Sequence, residues 1–236
     1  MVKKLLLAFA SLSMISGSLF AQGERRIQIR TLCLEQVNGL EKVRLFAGEE
    51  SKEDPEVILY NEVSPVIEAT FKINEAVFCT EQIGPDGKIV RTPVGKVALG
   101  KSPQQLFVFV PGGGKGNLPY QIMAYDDDLK TFALGHIRAI NLAPVPVRFV
   151  ISGTVTPPIP AGKYAVFPQS AKVDEYNMYP AVTEFQSANG EWVKGQSTSW
   201  KASDRRREVV ITTVDLKYKQ PNVQLFSDFP PWAEQK

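Results

Sequence analysis

The sequence predicts an all-β protein, folded as two closely packed antiparallel sandwich halves. Three observations lead there. The apolar residues recur mainly with a period of two. Gly and Pro, 17 of each, are spread along the 236 residues. Beyond the first 21 residues no stretch of about 12 carries a 3.6-residue apolar period. Each Gly or Pro inside a helix costs about 1 or 3 kcal/mol, so their scatter excludes long helices.

The strands follow in order. Ile27, Ile29 and Thr31 alternate with Gln28 and Arg30, and Val43, Leu45 and Ala47 alternate with Arg44 and Phe46. Ile58 and Tyr60, then Val66, Ile67 and Phe71, continue in short runs. Leu106–Val110 is uninterrupted Leu, Phe and Val, the pattern of a strand buried on both faces. Further strands are expected at Tyr120–Tyr125, Ile137–Ile140, Val145–Ile151, Lys163–Phe167, Ala181–Phe185 and Val209–Leu216. Turn-formers separate them at 84–87, 111–114, 156–158 and 160–162. Asn189-Gly190 marks a hairpin between Val182–Phe185 and Trp192-Val193. About a dozen short strands at this spacing make a sandwich or barrel.

Residues 1–21 read as a secretory signal peptide: Lys3 and Lys4, an uncharged apolar stretch from Leu5 to Phe20, then Ala21 before cleavage. Cleavage after Ser18, with Ser16 at −3, fits the small-residue rule better than Leu19 does. A membrane anchor is the other reading, but the stretch is short of the roughly 20 apolar residues a span needs. No second long apolar run follows, so no transmembrane helix is expected in the mature chain. The formal net charge is +2, and loss of Lys3 and Lys4 leaves 25 basic and 25 acidic residues. That balance gives no electrostatic case for nucleic acid or an anionic membrane. The expected location is the periplasm, outer envelope or extracellular space.

The mature chain divides best at Asp126-Asp127-Asp128, into halves at 22–128 and 129–236, each large enough for a sandwich. One larger sandwich is the alternative, because no linker marks the break. The only cysteines, Cys33 and Cys79, both fall in strand-like segments of the first half. In an oxidising compartment a Cys33–Cys79 bridge is expected. It would close a loop of about 46 residues and stabilise by about 4 kcal/mol. Two buried thiols on separate strands are the alternative.

Gly135-His136-Ile137-Arg138-Ala139-Ile140-Asn141-Leu142-Ala143-Pro144 opens a strand and closes it with Asn-x-Ala-Pro. Strand Val145–Ile151, then Pro160-Ala161-Gly162-Lys163-Tyr164, then Arg207–Ile211, follow. This order resembles small exported sandwich domains of unknown function, with Ala143 where those often have Ser. The mature chain also resembles uncharacterised exported β-sandwich proteins, some encoded beside type IV pilus secretion genes. The resemblance implies an immunoglobulin-like fold and an envelope or surface role, and supplies no catalytic residue.

The candidate sites are sparse. Pro111–Asn117 lacks the Gly-Lys-Ser/Thr and following helix of a phosphate loop and reads as a hairpin. Asp126, Asp127 and Asp128 lack the Asp-x-Asp-x-Asp-Gly spacing of a calcium loop and read as a solvated turn. Glu49, Glu50, Glu53 and Asp54 read as a second acidic loop. His136 is the one imidazole, with no Gly-x-Ser-x-Gly elbow to serve, and two cysteines cannot build a Cys-rich zinc site. Arg205-Arg206-Arg207 reads as a charged hairpin tip. Trp192, Trp200 and Trp232 are the ligand-binding candidates, because sugars stack on exposed aromatic faces; core packing is the competing role. The expected function is therefore non-enzymatic, without cofactor or metal. It is that of an exported envelope or surface protein acting through protein contacts in surface assembly or adhesion, pilus-related assembly included. A carbohydrate-binding module using the tryptophans, with a glycan as partner, is the alternative.

Overall fold

A computed structural model describes residues 24–47, 54–112, 116–215 and 220–233. The expected signal segment 1–21, Glu49, Glu50, Glu53 and Gly113–Lys115 lie outside the described residues. Sixteen strands and one 3-10 turn are described. The first half holds β1 (Arg25–Cys33), β2 (Lys42–Phe46), β3 (Glu56–Ile58), β4 (Ile67–Phe71), β5 (Glu75–Ile83), β6 (Ile89–Ala98), β7 (Gln104–Pro111) and β8 (Tyr120–Asp126). The second holds β9 (His136–Asn141), β10 (Val147–Ile151), β11 (Thr154–Val155), β12 (Tyr164–Pro168), β13 (Met178–Gln186), β14 (Trp192–Lys201), β15 (Arg207–Asp215) and β16 (Gln220–Asp228), followed by η1 (Pro231–Ala233).

The strands form four sheets, β3-β2-β5-β6 and β4-β1-β7-β8 in the first half, β12-β9-β15-β16 and β11-β10-β13-β14 in the second. Alternation along β1 explains the layering. Ile27, Ile29 and Cys33 enter one core with Phe78, Phe107 and Phe109, between the two sheets of the first half. Leu32 faces the other way and joins Leu106, Val108 and Tyr125 against Ile140, Val209 and Ile211 of the second half. Ile137, Ala139 and Val210 then turn to a third core with Phe149, Tyr179 and Trp200. The sheets containing β1 and β9 are thus inner layers, buried on both faces, and the other two are outer layers.

Both halves follow one plan. Numbered from its own first strand, each has an inner sheet 4-1-7-8 and an outer sheet 3-2-5-6. In each, the first and seventh strands pair in parallel, β1 with β7 and β9 with β15. In each, the pairing of the fifth strand with the sixth shifts register, at Phe78/Cys79 and at Thr183/Glu184, with the extra residue, Val94 or Gly195, on the sixth strand. The parallel partners Arg30↔Leu106 and Arg138↔Val209 align Ile29-Arg30-Thr31-Leu32-Cys33-Leu34 with Ile137-Arg138-Ala139-Ile140-Asn141-Leu142. The same alignment matches Gln104 with Arg207 and Gln105 with Glu208. It also matches Asp127, whose N–H donates to the Gln104 carbonyl, with Asp228, the partner of Arg207.

The expected disulfide is absent: Cys33 and Cys79 are free, buried thiols. Cys33 points into the core of the first sandwich, where its thiol donates to the Glu35 carbonyl. Cys79 follows core-facing Phe78 on β5 and so points to the opposite face of the outer sheet, paired with Arg44 of β2. The two side chains occupy different faces of different sheets, and no bond joins them without rebuilding β5. Burial raises both thiols above their ordinary value.

Candidate functional site

The parity that sends Leu32 to the seam between the halves sends Arg30 there too, and β9 does the same with Arg138 and Ile140. On β15, Val209 and Ile211 face the seam, and so does Arg207. The ends of β8 and β16 bring Asp127 and Asp228 between these arginines. All five side chains are at most 2% exposed. Arg30 Nε donates to Asp127 Oδ2 at 3.0 Å, while its Nη1 and Nη2 donate to both oxygens of Asp228 at 2.5 and 3.2 Å. Arg207 Nε donates to Asp228 Oδ2 at 2.7 Å and its Nη2 to Asp127 Oδ1 at 2.8 Å. Arg207 Nη1 reaches the carbonyls of Asp127 and Phe132, each at 2.9 Å. Arg138 donates to the Asp126 carbonyl and stands 3.8 Å from Asp127 Oδ1.

Three guanidinium groups thus face two carboxylates. Aromatic faces offset the excess cation, an attraction of about 0.5–2 kcal/mol for each well-placed ring. Phe132 lies between Arg138 and Arg207, 4.3 Å from each. Tyr125 and Tyr164 add their rings to Arg138 at 5.6 and 5.9 Å, and Trp232 covers Arg30 at 4.7 Å. Burial nevertheless pulls the Arg138 guanidinium below its ordinary value, against the opposing pull of Asp127. The cluster ties both halves together, and removing one member of such a set costs about 3–5 kcal/mol because its partners stay buried and charged. It corrects two readings. Asp127 and Arg207 are not a solvated turn and a hairpin tip. Each sits at a strand end whose parity points inward. Their neighbours do lie further out: Asp128 caps its turn through Lys130 and Thr131, and Arg205 is exposed. Asp54, placed with the acidic loop, is buried and paired with Arg91 at 3.1 Å.

The three tryptophans are dispersed. Trp200 is 3% exposed and packs against Phe149 and Tyr179 in the second core. Trp192 is half-buried on the far face of the outer sheet, with Arg148 over its ring at 4.3 Å. Trp232 is half-buried on η1 above Arg30. His136 Nδ1 lies 3.0 Å from the Leu134 carbonyl at the start of β9. Among the described residues no group of three or more His, Cys, Asp or Glu is placed to hold a metal ion. No helix among them is long and apolar enough to cross a membrane.

One surface feature is unlike the rest. The β5–β6 hairpin ends in Ile83, paired with Ile89, and Val90, and these are 81%, 61% and 51% exposed. The turn Gly84–Lys88 closes it, with Gly87 at φ +76°, a conformation glycine adopts without steric cost. β6 is the last strand of its sheet, so its outer backbone edge has no neighbour in that sheet. No family model matches the chain, and no curated protein matches it in sequence.

Proposed function

We propose that this is an exported protein of the cell envelope or surface, non-enzymatic, working through protein contacts in surface assembly or adhesion. The immunoglobulin-like kinship and a pilus-related setting belong to the same proposal. The observation that carries it is the hairpin tip of Ile83, Ile89 and Val90, apolar side chains at the exposed end of an edge strand. A partner strand added to β6 would gain backbone hydrogen bonds, with its own side chains beside Ile89 on one face and Val90 on the other. The signal-like segment and the body locked by the ion cluster support the same reading. A glycan platform has less support, since Trp200 is in the core and Trp192 and Trp232 lie on different faces.

A photo-crosslinking residue at Val90 tests this in envelope preparations. One discrete adduct is expected, lost in Ile83→Lys/Ile89→Lys with thermal stability unchanged. No adduct, or one that the double variant keeps, contradicts the proposal.

A further inference from the structure

The two halves clasp each other reciprocally. After Asp127 the connection between the halves turns and lays Phe132 on Arg138 of the second half. After the equivalent Asp228 it turns and lays Trp232 on Arg30, the matching arginine of the first half. The first clasp is pinned. Asp128 Oδ1 accepts from the N–H groups of Lys130 and Thr131 at 2.9 and 3.0 Å. Phe132 N–H donates to the Asp128 carbonyl at 2.9 Å, and the Phe132 carbonyl accepts from Arg207.

The second clasp has none of these ties. Pro230 and Pro231 have no N–H to donate. Among the described residues, the one hydrogen bond of Phe229–Ala233 is internal, from Ala233 N–H to the Pro230 carbonyl at 3.0 Å. Trp232 Nε1 is buried without a partner among the described residues, and Phe229 is 65% exposed. The segment also contributes to the lining of two clefts. One, of about 820 Å³, runs along Glu62–Val66 and Leu225–Ser227 with Phe229, Pro231 and Arg30 in its lining. The other, of about 720 Å³, is lined by Lys101–Gln104, Asp126 and Trp232.

We propose that Phe229–Ala233 is an openable clasp: Trp232 lifts from Arg30, joins the two clefts and admits water to the ion cluster, while the Phe132 clasp stays closed. An orphaned indole N–H, together with the missing ties, favours lifting. The stacked ring holds the segment down and keeps water from Arg30. Opening converts a sealed joint into one that salt can screen.

The test is the melting temperature of the mature protein between roughly 0.05 and 0.5 M NaCl, since buried pairs are screened far less than exposed ones. Wild type is expected to be flat. Trp232→Ala is expected to lose about 3 °C or more across that range, and Trp232→Phe, which keeps a ring and removes the orphaned N–H, to be flat again. A flat Trp232→Ala overturns the proposal, as does a Trp232→Phe as salt-sensitive as the alanine variant. Hydrogen exchange on the unaltered protein decides independently, should the alanine variant not fold. Amides of 232–233 should exchange at least about 100-fold faster than that of Phe132 and without denaturant dependence, the signature of local opening. Equal protection of the two clasps overturns it.

Discussion

Arg207 donates to two carboxylates and two carbonyls, so its removal leaves Asp127 and Asp228 buried with Arg30 hydrogen-bonded to both and Arg138 standing 3.8 Å from Asp127. Arg207→Ala is expected to cost about 3–5 kcal/mol in urea unfolding, and Arg205→Ala, at an exposed site, less than about 0.5. Equal costs would contradict the assignment. Glu208 is buried beside Arg206 and Ser227, and burial raises its carboxyl above the ordinary 4.5. The unfolded chain then loses that proton first. The group therefore weakens the fold as pH climbs past about 4.5, and has no such effect below it. Gln105 holds the equivalent position in the first half. Glu208→Gln is accordingly expected to raise the melting temperature at pH near 7 and to leave it unchanged at pH near 4. A lower melting temperature at both would refute this. The two thiols should be unreactive in the native protein and both titrate in denaturant without reductant.

At the scale of elements, the strands legible in the sequence were those buried on both faces or cleanly alternating, β1, β7, β10 and β13 among them. β6, β14 and β16 passed largely unread. Each is an edge strand with much of its length exposed, so polar residues and prolines such as Pro93 and Pro221 interrupt the pattern. The ion cluster was hidden for a different reason. Asp127 and Arg207 sit inside runs of like charge, and runs look solvated. Asp127 finds its partners 80 and 97 residues away, Arg207 meets Asp228 across 21, and the Arg30–Asp228 pair spans 198. The available signal was parity, an Arg after Ile29 and another after Ile137 in a shared Ile-Arg-x-apolar-x-Leu pattern. The bulge in β14 is Gly195 itself, where an added Cβ would meet the buried Phe185 ring at 2.5 Å. Gly195→Ala is expected to cost about 1–3 kcal/mol, whereas Gly39→Ala meets no atom and pays only for its positive φ. Comparable stability of Gly195→Ala and wild type would show that the strand relaxes freely.

For the whole molecule, two like units are joined by an apolar layer between the inner sheets and by one ion cluster within it. Such halves should unfold together while the joint is intact. Export with loss of about 21 residues, expected from the signal pattern, is checked by intact mass of protein recovered from the envelope. The full-length mass there would contradict it. The joint itself is tested by scanning calorimetry of the mature protein and of Asp228→Ala, which leaves Arg30 and Arg207 with one carboxylate between them. Wild type is predicted to show one transition whose calorimetric and van't Hoff enthalpies agree, and Asp228→Ala to resolve into two. Two independent transitions in the wild type, unchanged in Asp228→Ala, would contradict the claim that the buried cluster locks the halves into one body.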